Sequence, residues 1–172
     1  MKSTGITRRI DDLGRIVIPK EIRKNLKIKE NEILEIFIEN ENIILKKYSS
    51  LDDMKNVFER FIEVLEDITL NNVLITNRER VVGTSKRKEY DYLNKLLGNK
   101  VLKVIENKEI ILSTGKIEII EDKTIDTNYY IKPIINAGDI IGSIIVFGNK
   151  EIEDKHIIAI DIISKLIINY TN

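Results

Sequence analysis

The first 29 residues carry nine cationic side chains, among them Arg8, Arg9, Arg15, Lys20, Arg23, Lys24 and Lys27, against the anions Asp11, Asp12 and Glu21, a net of +6. Arginine and lysine at that density suit one chemistry above others: they neutralise phosphate and reach nucleic-acid base edges. Residues 30–50 have a net charge of −3, and so do residues 51–172. A zero net charge for the whole chain therefore hides a dipole along the sequence, and only its amino-terminal end attracts a polyanion. Catalytic chemistry has little to work with. The chain has no Cys, and its single His, His156, lies in an Ile-rich segment. Ser85 and Ser113 have no His close by in sequence and no nucleophile-elbow motif. Gly148-Asn149-Lys150 lacks the flanking glycines of a phosphate loop, and no EF-hand pattern is present. The expectation is a protein that is not an enzyme and that has no metal site and no cofactor.

The elements that must hold those cations are short. Gly5 to Ile10 reads as a strand, Asp11-Asp12-Leu13-Gly14 as a turn, and Arg15 to Ile18 as a second strand. Pro19 suits the first position of a helix, because its missing N–H would be unpaired there anyway; the helix is expected over Pro19 to Leu26. At 100° per residue Ile22 and Leu26 share one side, while Lys20, Arg23, Lys24 and Lys27 fall in one arc on the other. Lys27 to Asn31 is polar, Glu32 to Glu39 alternates as a strand, Asn40 to Asn42 turns, and Ile43 to Tyr48 returns. Strict alternation places Arg8 with Ile6 and Ile10, so a bulge, a twist or a strand end must intervene, and either Arg8 or Arg9 can face outward. A domain of residues 1–50 is marginal without a staple, a metal or a partner. With no Cys and the one His far away, a partner chain remains, and an intertwined homodimer through residues 1–50 is expected.

The run Ser3 to Lys24 combines G-x-x-R (Gly5 to Arg8), D-x-L-G-R (Asp11 to Arg15) and P-K-E-I-R (Pro19 to Arg23). It closely resembles the DNA-binding domain of the AbrB-like transition-state regulators. That resemblance implies an N-terminal all-β swapped-hairpin barrel, dimeric and with a short helix, that presents loops and helices to double-stranded DNA. Arg8, Arg15 and Arg23 match the arginines that touch DNA in that family. Lys24 stands where relatives often carry Arg; it keeps a phosphate charge but lacks the planar fork that pairs with guanine. Arg9, Lys20 and Lys27 complete the expected DNA-binding set.

Residues 51–172 have a different character. Ser50-Leu51-Asp52-Asp53 reads as a helix start, and Met54, Phe58, Phe61, Leu65 and Ile68 recur at helical spacing to about Leu70. The final segment, Glu151 to Tyr170, repeats the pattern through Ile152, His156, Ala159, Ile163, Leu166 and Tyr170. Further Ile residues make it apolar over more than half its circumference. One sheet face cannot hide all of that, so the terminal helices, 51–70 and 151–170, are expected to pack on another subunit and build a homotetramer. Between them, strands are expected at Val73 to Thr76, Val81 to Thr84 and Ile117 to Ile120, with helices at Lys86 to Leu97 and Lys100 to Asn107. A hairpin, Asn128 to Ile135 and Ile140 to Phe147, turns at Asn136 to Asp139. The chain has 36 Ile and only 2 Ala, the mark of AT-rich coding, so Ile enrichment by itself is not read as strand.

Helices flanking an antiparallel sheet give an α+β layer fold, whose element order is similar to that of a GAF domain. That resemblance implies a ligand-responsive module with an unidentified small molecule. Thr84, Tyr129, Tyr130 and Ser143, polar groups among apolar strands, are the candidate ligand-binding residues. The expected organisation is a DNA-binding domain at 1–50 and a GAF-like regulatory and oligomerisation domain at 51–172. With the long C-terminal part, the resemblance implies a sequence-specific regulator, activator or repressor, of late sporulation genes. The charged first 20 residues are not a secretory signal, and no apolar run is long enough for a membrane helix, so the expected place is the cytoplasm, at the nucleoid. Two other readings compete. AbrB-like domains also form the DNA-binding halves of antitoxins that bind a toxin and autoregulate their operon, though usually with a disordered acidic tail rather than a periodic one. Alternatively the C-terminal domain is the sensor, and the basic arm only adds avidity.

Overall fold

The computed structural model describes residues 4–48, 51, 54–85 and 88–171. The chain divides into two compact units, 1–48 and 49–172.

In the first unit Pro19 precedes the short helix α1 (Lys20–Asn25), and Arg23 N donates to Pro19 O at 3.0 Å. The helix closes through a left-handed residue, Lys27 at φ +52°. Its N–H reaches Lys24 O at 3.2 Å, and Ile28 N reaches Arg23 O at 2.7 Å. These paired bonds satisfy the last carbonyls of the helix. Lys27 therefore lies beyond α1, as an end of the helix at Leu26 requires, and does not extend the cationic arc of the helix. Strands β1 (Leu34–Glu39) and β2 (Asn42–Lys47) form an antiparallel hairpin in register Ile36↔Leu45 and Ile38↔Ile43. Asn40 takes the left-handed φ of +53° that a two-residue loop demands.

Gly5 to Ile10 and Arg15 to Ile18 are not strands in the single chain, contrary to expectation. The backbone bonds at their junction close only the turn: Asp11 N to Arg15 O and Gly14 N to Asp11 O, both 3.0 Å. Val17 at 72% exposure and Ile38 at 81% show how bare this unit is, and none of its described residues is buried.

The second unit begins with helix α2 (Lys55–Thr69), ended by Leu70 at a left-handed φ of +52°. Ser50, Asp52 and Asp53, the expected capping residues, lie outside the described residues. Strands β3 (Asn72–Thr76) and β4 (Val81–Thr84) follow, then helices α3 (Glu89–Tyr92) and α4 (Asn99–Glu106). Strands β5 (Ile111–Ile120), β6 (Lys123–Asn136) and β7 (Asp139–Gly148) and helix α5 (Asp154–Tyr170) complete it. The five strands make one antiparallel sheet in the order β4-β3-β7-β6-β5. The β6–β7 turn is Ala137-Gly138, both at positive φ, which matches the right-handed twist of the strands.

Alternation along the strands splits the apolar residues into two cores. On one face Val73, Ile75, Ile144 and Val146 pack with Phe58, Ile62 and Leu65 of α2 and Ile160, Ile163 and Ile167 of α5. On the other, Leu74, Ile131, Ile145 and Phe147 pack with Val101, Val104 and Ile105 of α4. Lys86 and Arg87, the start of the helix expected to run to Leu97, lie outside the described residues, and of the remainder only α3 is α-helical. Asn94 at φ +63° breaks it, and Leu97 N then donates to Glu79 O at 2.9 Å, drawing the chain back to the sheet. Strand β5 starts six residues before the expected Ile117, because its polar Ser113-Thr114-Gly115 stretch pairs with Thr127, Asn128 and Tyr129 of β6.

Candidate nucleic-acid interface

The turn before α1 is organised by one side chain. Asp11 Oδ1 accepts from the backbone N–H of Leu13 at 3.1 Å and of Arg15 at 2.7 Å, while Asp11 Oδ2 accepts from Arg15 Nε at 2.7 Å. Gly14 supplies the positive φ, +76°, that the reversal requires. The Arg15 backbone N–H, and after it the Arg15 side chain, hold the Asp11 carboxyl below the usual aspartate range. Arg15 itself stays 71% exposed, so the guanidinium is tethered at its inner nitrogen and open to solvent beyond it.

The other expected contacts sit as follows. Arg8 and Arg9 are both exposed, and Arg8 Nη1 donates to Thr7 O at 2.8 Å. Lys20, Lys24 and Lys27 are exposed. Arg23 differs: it is half-buried, and its Nε is buried with no hydrogen-bond partner among the described residues. From sequence alone Asp11 figures only as a turn former whose charge offsets the basic stretch. The spacing that could have revealed more is an Asp four residues before an Arg across a glycine turn, where one carboxylate reaches both backbone and guanidinium.

In the second unit the four candidate ligand residues do not form one group. Tyr129 and Tyr130 are adjacent on β6 and so point to opposite faces. Tyr130 is buried with Ile134 and Ile144 on the α2–α5 face. Its phenol is pushed up to about 12 by burial and by the Asp161 carboxylate. Tyr129 is buried on the α4 face, where Lys100 Nζ donates to its hydroxyl at 2.8 Å. Burial alone would raise Tyr129, but hydrogen bonds with Lys100 and Ser113 and the ammonium charge bring it below its ordinary value. Ser143 lies opposite Thr76, and their hydroxyls hydrogen-bond at 2.7 Å in the interior. Thr84 pairs with Leu74 in the sheet, and its hydroxyl is buried with no hydrogen bond among the described residues. Thr84, Tyr129 and Ser143 thus share the α4 face, and Tyr130 is separated from them by the sheet. His156 is a structural residue: its Nδ1 accepts from Glu153 N at 3.1 Å while the Glu153 side chain accepts from His156 N, a reciprocal cap on α5. Among the described residues, no group of three or more acidic, His or Cys side chains is placed to hold a metal ion, and no helix is long and apolar enough to cross a membrane.

Comparison with known proteins bears on both units. Residues 53–165 match the family described as stage V sporulation protein T C-terminal, transcription factor. Residues 7–53 match the family described as antidote-toxin recognition MazE, bacterial antitoxin. The chain is 36% identical over 155 residues to stage V sporulation protein T of Bacillus subtilis, covering 88% of this chain and 87% of that protein. It is 60% identical over 48 residues to the transition state regulatory protein AbrB of the same organism, 28% of this chain and 50% of that one. The GAF domain of an Acinetobacter phosphoenolpyruvate-protein phosphotransferase superposes with a TM-score of 0.54 over 73% of this chain and 84% of that domain. At 10% identity that likeness establishes the fold alone. An AbrB-like amino-terminal domain followed by a GAF fold, together with matching sequence along nearly the whole length, places the chain in the stage V sporulation protein T family of DNA-binding transcription regulators.

Proposed function

We propose that the chain regulates transcription as a homodimer through residues 1–50, in which two copies merge their hairpins into one barrel and present Arg8, Arg9, Arg15, Lys20, Arg23, Lys24 and Lys27 to double-stranded DNA. The supporting observation is the combination of a unit with no buried side chain among its described residues and a basic surface turn already ordered by Asp11. A second copy would cover Ile36, Ile38 and Ile43 and offer strand partners to the Gly5 to Ile10 and Arg15 to Ile18 arms. The GAF-like domain serves as the regulatory and oligomerisation module. Its terminal helices join dimers into a tetramer, and a small molecule held on the α4 face near Thr84, Ser143 and Tyr129 biases DNA binding. The likeness to a sporulation protein supports late sporulation genes as the targets.

An antitoxin role has the residue 7–53 match in its favour. Against it stands a folded, sheet-centred second unit where an antitoxin of that kind carries a disordered tail. Selection of duplexes from a random pool at physiological salt tests the main reading. The full chain is expected to enrich one shared motif and Arg15→Ala none; a parent protein that enriches no motif contradicts sequence-specific regulation. Purification with a bound toxin would put the antitoxin reading first.

A further inference from the structure

We propose that Asp11 is a specificity-determining positioning residue, whose carboxylate aims Arg15 at base edges instead of leaving it free to follow phosphates. The proposal rests on the reading of Arg15 as a DNA contact. A carboxylate beside a cation that served only phosphate would work against binding, since it subtracts from the charge that releases counterions. Its benefit lies in orientation. One oxygen of Asp11 fixes the backbone at Leu13 and Arg15, and the other holds Arg15 Nε at 2.7 Å. Base and side chain of the arginine are thus secured by the same carboxylate, which removes much of the freedom of a long, flexible residue. With Nε occupied, the two Nη groups remain for a second acceptor pair, and that outer edge is the fork that matches O6 and N7 of guanine. Arg23 offers the contrast: its Nε has no acceptor among the described residues.

The replacement Asp11→Asn separates aim from architecture, because an amide oxygen can still accept from the backbone N–H groups of Leu13 and Arg15 but carries no charge to hold the guanidinium. Fluorescence anisotropy of the full chain is read on two duplexes, one recovered by selection on the parent protein and one scrambled duplex of equal composition. Asp11→Asn is expected to weaken binding to the selected duplex about tenfold. On the scrambled duplex it should bind as tightly as the parent or more tightly, because a negative charge near the phosphates is gone. Equal weakening on both duplexes would show that Asp11 only supports the turn, and unchanged affinity for the selected duplex would show that Arg15 needs no aim; either result overturns the proposal. Arg15→Ala measured alongside keeps the two levels apart. If it leaves the selected duplex bound as before, the DNA-contact reading of Arg15 fails. If it abolishes the preference while Asp11→Asn retains it, only the role of Asp11 falls.

Discussion

The carboxylate of Asp11 accepts three hydrogen bonds from a single turn, two from backbone and one from Arg15 Nε. All three favour the ionised form, so the group contributes order to the turn above the ordinary aspartate pKa and loses it as pH falls through its lowered folded value. Carbon-detected NMR titration should place the Asp11 midpoint below 3.8, and an ordinary midpoint would contradict the observed bonding. In the interior, Ser143→Ala leaves the Thr76 hydroxyl buried without its 2.7 Å partner. Urea denaturation should register a loss of about 1–3 kcal/mol, with DNA affinity in the absence of any small molecule unchanged. The types and positions of the basic residues were legible in the sequence, because charge and motif both survive without coordinates. The tether on Arg15 was not, since a charge count sees Asp11 only as a subtraction. Nor were the partners of Tyr129 and Tyr130, because neighbouring residues on a strand look out on different cores.

Helix α5 shows both what periodicity reveals and where it stops. Its excess of apolar residues was legible in sequence, and the structure sorts them into a buried row, Ile160, Ile163 and Ile167, and an exposed one, with Ile158 at 61% and Ile162 at 55% exposure. Phe61 of α2 and Tyr170 of α5 meet edge to face at 6.0 Å, so the two terminal helices lie side by side. If the proposed tetramer forms through this exposed row, the double variant Ile158→Glu, Ile162→Glu should drop the assembly from tetramer to dimer by multi-angle light scattering while the sheet stays folded; an unchanged mass would remove these helices from the interface. The β6–β7 hairpin was readable from Asn136 to Asp139, because turn chemistry is local. The short α3 and the long β5 were not: Leu97 is fixed by Glu79 and the Ser113 stretch by Tyr129, partners distant in sequence. The arms around Asp11 have strand-like residues bounded by turn signals, and such local signals do not supply a face to bury.

The molecule as a whole joins two units of opposite habit. The second, 49–172, buries two cores within one chain, whereas the described residues of the first, 1–48, bury none. In the proposed dimer, Arg8, Arg15, Arg23 and Lys24 of two copies would give eight cations at one surface, and if all met phosphate the logarithm of affinity would fall against that of salt with a slope of about −7. Base-edge contacts would make the slope shallower, so anisotropy over a salt series should give a steep value short of that limit, and a flat response would exclude phosphate contact. The central claim is that paired amino-terminal units form the DNA-binding body. Native mass spectrometry of residues 1–50 mixed with the selected duplex tests it directly. Two chains on one duplex, with no single-chain complex at any ratio, is the predicted result; a folded single chain bound to the duplex, or no complex in dilute buffer, would contradict it.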